Sequence, residues 1–140
     1  MTAMTNLPSI VMSPQDHERL SNIAQAAQRT VPTVADYLLR ELDRAKVTPK
    51  DDPCTKRVKM GSHVEFRDNG TGRVRAIQLV YPAEADPQAG RISVLTPIGA
   101  ALVGLSEGKT IPWVGRSGEN RTLTVLKIGA DSGPVRYSDM

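Results

Sequence analysis

Residue types that carry metal or redox chemistry are scarce in this chain. The two histidines, His17 and His63, fall in different predicted elements, and no HExxH or CxxC pattern accompanies them. We therefore predict no metal centre and no cofactor. Cys54 is the only cysteine, which excludes an internal disulfide, and its place between Asp51-Asp52 and Lys56-Arg57 favours an inert linker residue.

The motifs of phosphate binding and nucleophilic catalysis are incomplete. Gly108-Lys109-Thr110 has the ending of a phosphate-binding loop, but Gly104 does not provide the spacing that the backbone cradle requires. No serine or threonine stands beside a recognisable base and orienting residue, although a Ser-His-Asp arrangement formed in space stays open. These observations predict that the chain is not an enzyme.

The charge of the chain is mildly basic. The net charge is +3, and residues 50–75 hold seven Lys or Arg against four Asp or Glu. With aromatic residues at 4%, this surplus is typical of a solvated surface rather than of a nucleic-acid interface. No apolar run approaches the roughly 20 residues that span a bilayer, and residues 1–20 lack a secretory pattern. We expect a cytoplasmic protein that does not contact membranes.

Two short amphipathic helices are predicted before residue 47. Ser13-Pro14 with Asp16 indicates the start of the first helix, which Val31-Pro32 ends. Thr33, followed by Asp36 three residues later, indicates the start of the second. Apolar residues recur at spacings of three and four in both. A short connection predicts an antiparallel hairpin, with an arm about 20–25 Å long.

From Arg57 onward the apolar period changes to two, which predicts strands. A strand interrupted at Gly61 precedes the turn Asp68-Asn69-Gly70, and a short helix opens at Thr96-Pro97. The other strands are predicted at 73–81, 91–95, 109–113 and 121–128. The fold class is therefore α+β, a helical hairpin followed by a five-stranded, mostly antiparallel sheet with one short helix. We divide the chain into hairpin 1–47, linker 48–55, C-terminal domain 56–130 and loose tail 131–140.

Several stretches carry a family resemblance. Tyr81–Asp86 (YPAEAD) and Ile92–Gly104 (ISVLTPIGAALVG) resemble the C-terminal domain of Gre transcript-cleavage factors. Together with GKTIPW and ADYLLRELDRA, they resemble more closely the Rnk, or regulator of nucleoside diphosphate kinase, family. The resemblance covers roughly Val11 to Ile128, and Thr96–Gly104 is its most specific part.

The resemblance implies an FKBP-like C-terminal domain that docks on RNA polymerase. In Gre factors this domain contacts the tip of a β′ coiled coil at the rim of the secondary channel. A much longer helical arm enters that channel, and acidic residues at its tip help to hold a catalytic metal. Here the tip, Gln28–Thr33, holds no carboxylate. The resemblance therefore implies binding without catalysis, in competition with Gre factors.

The candidate docking residues follow from the same motifs. Pro97 and Ile98 offer an apolar contact and Asp86 a charge, and the small residues of the short helix would let a partner helix approach closely. The full set of candidate contacts is Tyr81, Asp86, Ser93, Thr96, Pro97 and Ile98. The alternative is that this helix packs on its own sheet, and Ala101, Leu102 and Leu105 are predicted to do so.

Two other functions stay open. The first is an interaction module that regulates nucleoside diphosphate kinase, or another partner, without binding polymerase. The second is peptidyl-prolyl isomerase activity, suggested by the FKBP-like fold. That activity needs an aromatic-lined pocket, for which the domain has only Phe66, Tyr81, Trp113 and Tyr137. A shared fold does not by itself transfer a function.

Overall fold

Two helices pack against each other at the amino-terminal end of the chain. The computed structural model describes residues 8–48, 57–114 and 120–129. Helix α1 spans Pro14–Ala27 and helix α2 spans Pro32–Arg44. His17 Nε2 lies 2.9 Å from the Leu42 carbonyl oxygen, which joins the start of α1 to the end of α2. The predicted antiparallel hairpin is therefore confirmed.

The two helices begin in different ways. The Ser13 hydroxyl accepts a hydrogen bond from the Asp16 amide at 3.1 Å, as predicted. The predicted start at Thr33 is wrong, because Val31 is the N-cap of α2 and no side chain caps it. Pro32 takes the first helical position, where its fixed φ suits the helix and its missing amide costs nothing. Asp36 accepts a hydrogen bond from Gln28 Nε2 at 2.9 Å instead of capping the helix.

A short parallel strand pair, absent from the sequence prediction, ties the two ends of the hairpin together. Strand β1 (Val11–Met12) lies beside β2 (Lys46–Val47). The Thr48 amide donates to the Met12 carbonyl at 3.1 Å. Two-residue strands have no detectable period, so the pattern could not predict them. The predicted linker begins here, and its residues from 49 onward lie outside the described residues, as does the predicted tail.

Five strands form the main sheet. Their order is β5-β4-β3-β7-β6, and all neighbours are antiparallel except β4 and β5. The predicted mostly antiparallel sheet is thus confirmed. Helix α3 (Pro97–Leu102) lies between β5 and β6 in the chain. The strands are β3 His63–Asp68, β4 Arg73–Val80, β5 Arg91–Ser93, β6 Thr110–Val114 and β7 Asn120–Ile128.

The first strand of this sheet begins later than its alternating pattern predicted. Gly61 has a φ of 90°, a conformation that breaks the extended run and that glycine adopts without steric cost. Its amide donates to the Leu79 carbonyl at 2.6 Å. Val58, before this break, instead donates through its amide to the Leu105 carbonyl at 2.8 Å. The segment at Val58 therefore packs beside the end of α3 rather than extending β3.

The hairpin and the sheet share one hydrophobic core. Buried side chains from both segments form a continuous cluster that includes Leu20, Leu38, Phe66, Leu102 and Leu123. The chain before α1 crosses the C-terminal domain closely, since a Cβ built on Gly104 would lie 2.8 Å from the Ile10 Cβ. The core thus continues across the predicted domain boundary.

Candidate docking surface

The docking turn, residues 93–98, is held in shape by its own hydroxyl groups. The Thr96 hydroxyl accepts a hydrogen bond from the Gly99 amide at 3.0 Å, which caps α3, and donates to the Ser93 carbonyl at 2.7 Å. The Ser93 hydroxyl accepts from the Leu95 amide at 2.9 Å. This bond turns the chain, so β5 ends at Ser93 and not at Leu95 as predicted. Both hydroxyl groups therefore stabilise the conformation of the turn.

The small residues of α3 face the protein's own sheet. Gly99, Ala100 and Ala101 are buried, and a Cβ on Gly99 would collide with the Ser93 carbonyl oxygen and lie 2.9 Å from the Val94 Cα. At Gly99 the preceding segment already occupies the space that a partner helix would need. The prediction that Ala101, Leu102 and Leu105 pack in the core is confirmed.

Pro97 and Ile98 are half-buried, so each presents part of its apolar surface to solvent. Ile98 also packs against the core. Pro97 lines a small notch of about 60 Å³ together with side chains of α2. The α2 residues of this notch are Thr33, Val34, Tyr37 and Arg40.

Helix α2 therefore borders the docking turn, which the sequence analysis missed. The residues that line the notch recur at spacings of three and four, so they share one face of α2. That spacing was visible in the sequence, but it could not reveal that this face meets Pro97. The contact joins positions more than fifty residues apart along the chain, and only the fold brings them together.

Tyr81 is not the exposed contact that the sequence predicted. Its side chain is only 8% exposed, and the Arg19 guanidinium of α1 lies 4.6 Å from the centroid of its ring. It directly follows Leu79 and Val80, which are fully buried at the end of β4. Tyr81 therefore lies beneath the surface and contacts α1 through a cation–π interaction with Arg19.

Asp86 is exposed in the loop between β4 and β5. Its backbone is fixed by a pair of hydrogen bonds with Arg91, amide to carbonyl at 2.9 Å and 3.0 Å. Among the described residues its carboxylate forms no hydrogen bond or ion pair. A rigid backbone with an unpaired carboxylate suits recognition of a cationic group on a partner.

Within residues 8–48, 57–114 and 120–129, no three His, Cys, Asp or Glu side chains lie close enough together to hold a metal ion. No helix in these ranges has both the length and the apolar character needed to cross a bilayer.

Comparison with known families matches both segments of the chain. Residues 52–130 match the family described as "Transcription elongation factor, GreA/GreB, C-term", and residues 8–47 match "Rnk N-terminus". The fold and these matches define a Gre-related regulatory factor. The chain is 36% identical over 121 residues to the "Regulator of nucleoside diphosphate kinase" of Escherichia coli strain K12, covering 86% of this chain and 89% of that protein. It belongs to the Rnk family.

Two proteins named as Gre factors are also similar to this chain. GreA of Syntrophobacter fumaroxidans is 39% identical over 91 residues, which cover 65% of this chain and 58% of that protein. A solved GreA/GreB elongation factor from Nitrosomonas europaea superposes with a TM-score of 0.65 at 34% identity, covering 88% of this chain and 99% of that one. These relatives bear names of regulators and transcription factors, not of enzymes.

Proposed function

We propose that this chain is a non-catalytic regulator that binds RNA polymerase near the secondary channel, on the β′ coiled coil, and competes there with Gre factors. The observation that carries the proposal is the exposed Asp86 carboxylate, unpaired among the described residues, in the Gre-type segment that also holds the half-exposed Pro97 and Ile98. Apolar contacts supply much of the affinity of an interface, and charges contribute specificity and register.

The hairpin supports a role without catalysis. Its connection, residues 28–31, contains no carboxylate, whereas Mg²⁺ prefers hard oxygen ligands. Asp36 is the nearest acidic residue beyond the connection, and it accepts a hydrogen bond from Gln28. A protein of this shape would occupy the docking position without supplying a metal ligand.

The docking assignment is tested by reversing one charge. Asp86→Lys should weaken binding to core polymerase at least tenfold, or about 1.4 kcal/mol, because it turns an attraction into a repulsion. Binding is measured with fluorescently labelled full-length protein, and circular dichroism checks the fold. The matched control is Asp43→Lys, which makes the same charge change at an exposed position of α2 and should leave the affinity within twofold.

Competition is measured in the same assay. Unlabelled GreA added to the complex should displace the labelled protein, since both would use one position on polymerase. Simultaneous binding of both proteins, or equal effects of the two charge reversals, would show that the docking position is assigned wrongly.

A second candidate function has its own support. The E. coli relative is named a regulator of nucleoside diphosphate kinase, so a direct complex with that kinase is the alternative. Adding purified kinase in place of polymerase to the labelled protein tests it. Saturable binding to the kinase, with none to core polymerase, would favour this alternative over the polymerase proposal.

A further inference from the structure

The outer face of the main sheet carries a groove that the docking surface does not use. The sheet groove, of about 430 Å³, lies across β3, β4 and β5 and is closed at one side by the loop before β5. Volumes of this size are typical of small-molecule sites. The residues that line the sheet groove include His63, Glu65, Ala76, Gly90, Arg91 and Lys127.

Two cations of this groove have no partner within the described part of the chain. The side chains of Arg91 and Lys127 form neither a hydrogen bond nor an ion pair there. Glu65 lies directly opposite Lys127 in the strand register, yet no ion pair joins them. Opposed exposed charges of this kind attract each other weakly. The groove therefore has a positive surplus that a bound anion would neutralise.

A further polar group at one end of the groove is unsatisfied. His63 Nε2 is buried and has no hydrogen-bond partner among the described residues. Leaving such a group unpaired is unfavourable, so a ligand that supplies a hydrogen-bond partner to this nitrogen would gain from it.

The centre of the groove is formed by small residues. Ala76 on β4, with Ala89 and Gly90 in the loop, leaves room above the sheet. Gly90 has a φ of 80°, so a larger residue there would be strained. A liquid water molecule occupies about 30 Å³, and a phosphate ion is only a few times larger than a water molecule. The groove, of about 430 Å³, is therefore several times larger than a bare phosphate ion. It has room for a phosphate group and the organic body that carries it.

We propose that the sheet groove binds a small organic phosphate over its Ala76–Gly90 centre, with Arg91 of β5 and Lys127 of β7 reaching the phosphate from the two edges of the groove and the attached body in the remaining space. Arg91 suits this role because its planar guanidinium donates two parallel hydrogen bonds to phosphate oxygens. The site does not require polymerase binding, so the two proposals stand or fall separately.

The test uses ribose 5-phosphate as the probe, with ribose and inorganic phosphate as matched ligands. Titration of the ¹⁵N-labelled full-length protein should give saturable amide shifts at Gly90 and Gly129. Ribose should give none, and inorganic phosphate should bind at least fivefold more weakly. Arg91→Ala and Lys127→Ala should each weaken ribose 5-phosphate binding at least fivefold, whereas Glu65→Gln should strengthen it.

Arg73→Ala is the control for loss of one positive charge. Arg73 is exposed at the far end of β4, three residues before Ala76, the first groove residue of that strand. That is about 10 Å at roughly 3.3 Å per residue, so binding should not change. Three results would overturn the proposal: shifts without saturation, equal loss in all three alanine variants, or tighter binding of an RNA oligonucleotide than of ribose 5-phosphate through the same two cations.

Discussion

Gly99 and Thr96 together set the position of the docking turn. The Thr96 hydroxyl fixes the first turn of α3, and the missing side chain of Gly99 lets that helix lie directly on the backbone of Ser93 and Val94. Thr96 and Gly99 both act through contacts within the protein, and together they determine the positions of Pro97 and Ile98. The position of the docking turn therefore depends on contacts within the protein itself.

Gly99→Ala should destabilise the protein by about 2–3 kcal/mol, because the added methyl group must displace the backbone of the preceding strand. Gly72→Ala is the control without a collision. Unlike the helical Gly99, Gly72 has a left-handed φ, 78°, and a Cβ there would meet nothing within 4 Å, so the cost, which comes from the backbone alone, should be about 1 kcal/mol. Urea denaturation measures both. Equal losses would show that the contact at Gly99 relaxes freely.

The sequence predicted the local chemistry of single residues well and their environment poorly. The caps at Ser13 and Thr96 follow from residue type and the next three positions, so they were predictable. The burial of Tyr81 was not, because it depends on Arg19, which is far away in the chain. The site residues Asp86, Pro97 and Ile98 stay predictions as partner contacts.

The hairpin is a short helical element fixed to the sheet by a polar contact. Tyr37 of α2 donates a hydrogen bond from its hydroxyl to the Pro112 carbonyl of β6 at 2.9 Å. Burial raises the pKa of Tyr37 well above the ordinary value of 10.0, and the Glu41 carboxylate raises it further. Periodicity predicted both helices and the strands, but no local pattern could predict a bond between residues 75 positions apart.

Tyr37→Phe should lower the free energy of unfolding by about 1 kcal/mol near pH 8, through loss of this hydrogen bond. The difference from the wild type should shrink as the pH rises above about 10. There the tyrosine ionises in the unfolded state while the folded state keeps its proton, which favours unfolding of the wild type alone. Urea denaturation at pH 8 and pH 10.5 measures the difference in the free energy of unfolding between the variant and the wild type. A difference that grows with pH would contradict the raised pKa.

The helical arm is short, and its connection, residues 28–31, contains no carboxylate. Helix α1 has 14 residues, which corresponds to about 21 Å at 1.5 Å per residue. We therefore expect the purified protein to give no RNA cleavage above the background of backtracked polymerase complexes. Placing a carboxylate at the tip with Thr30→Glu should not restore cleavage, since reach is also missing. Cleavage by either protein, with a Gre factor as positive control, would refute this expectation.

At the scale of the whole molecule, the two segments that match different families form one structural unit. The shared core, the hydrogen bond from the Val11 amide to the Gly104 carbonyl at 3.2 Å and the Tyr37 bond all link the hairpin to the C-terminal domain. The division at residues 48–55 marks a change in pattern along the sequence. It does not mark a gap in packing, because the same hydrophobic cluster holds side chains from both sides of it.

Cooperative unfolding of the whole chain tests this unity, and Leu38 is the residue to change. Leu38→Ala removes a fully buried side chain from α2 and should cost about 3 kcal/mol. Trp113, the only tryptophan, reports on β6, while circular dichroism reports mainly on the helices. If the core is shared, the urea midpoints from both signals should coincide and fall together in the variant. Asp43→Ala, which changes an exposed residue of the same helix, should shift neither urea midpoint. A Leu38→Ala protein whose helical signal melts early while Trp113 keeps its wild-type midpoint would mean that the two segments fold independently.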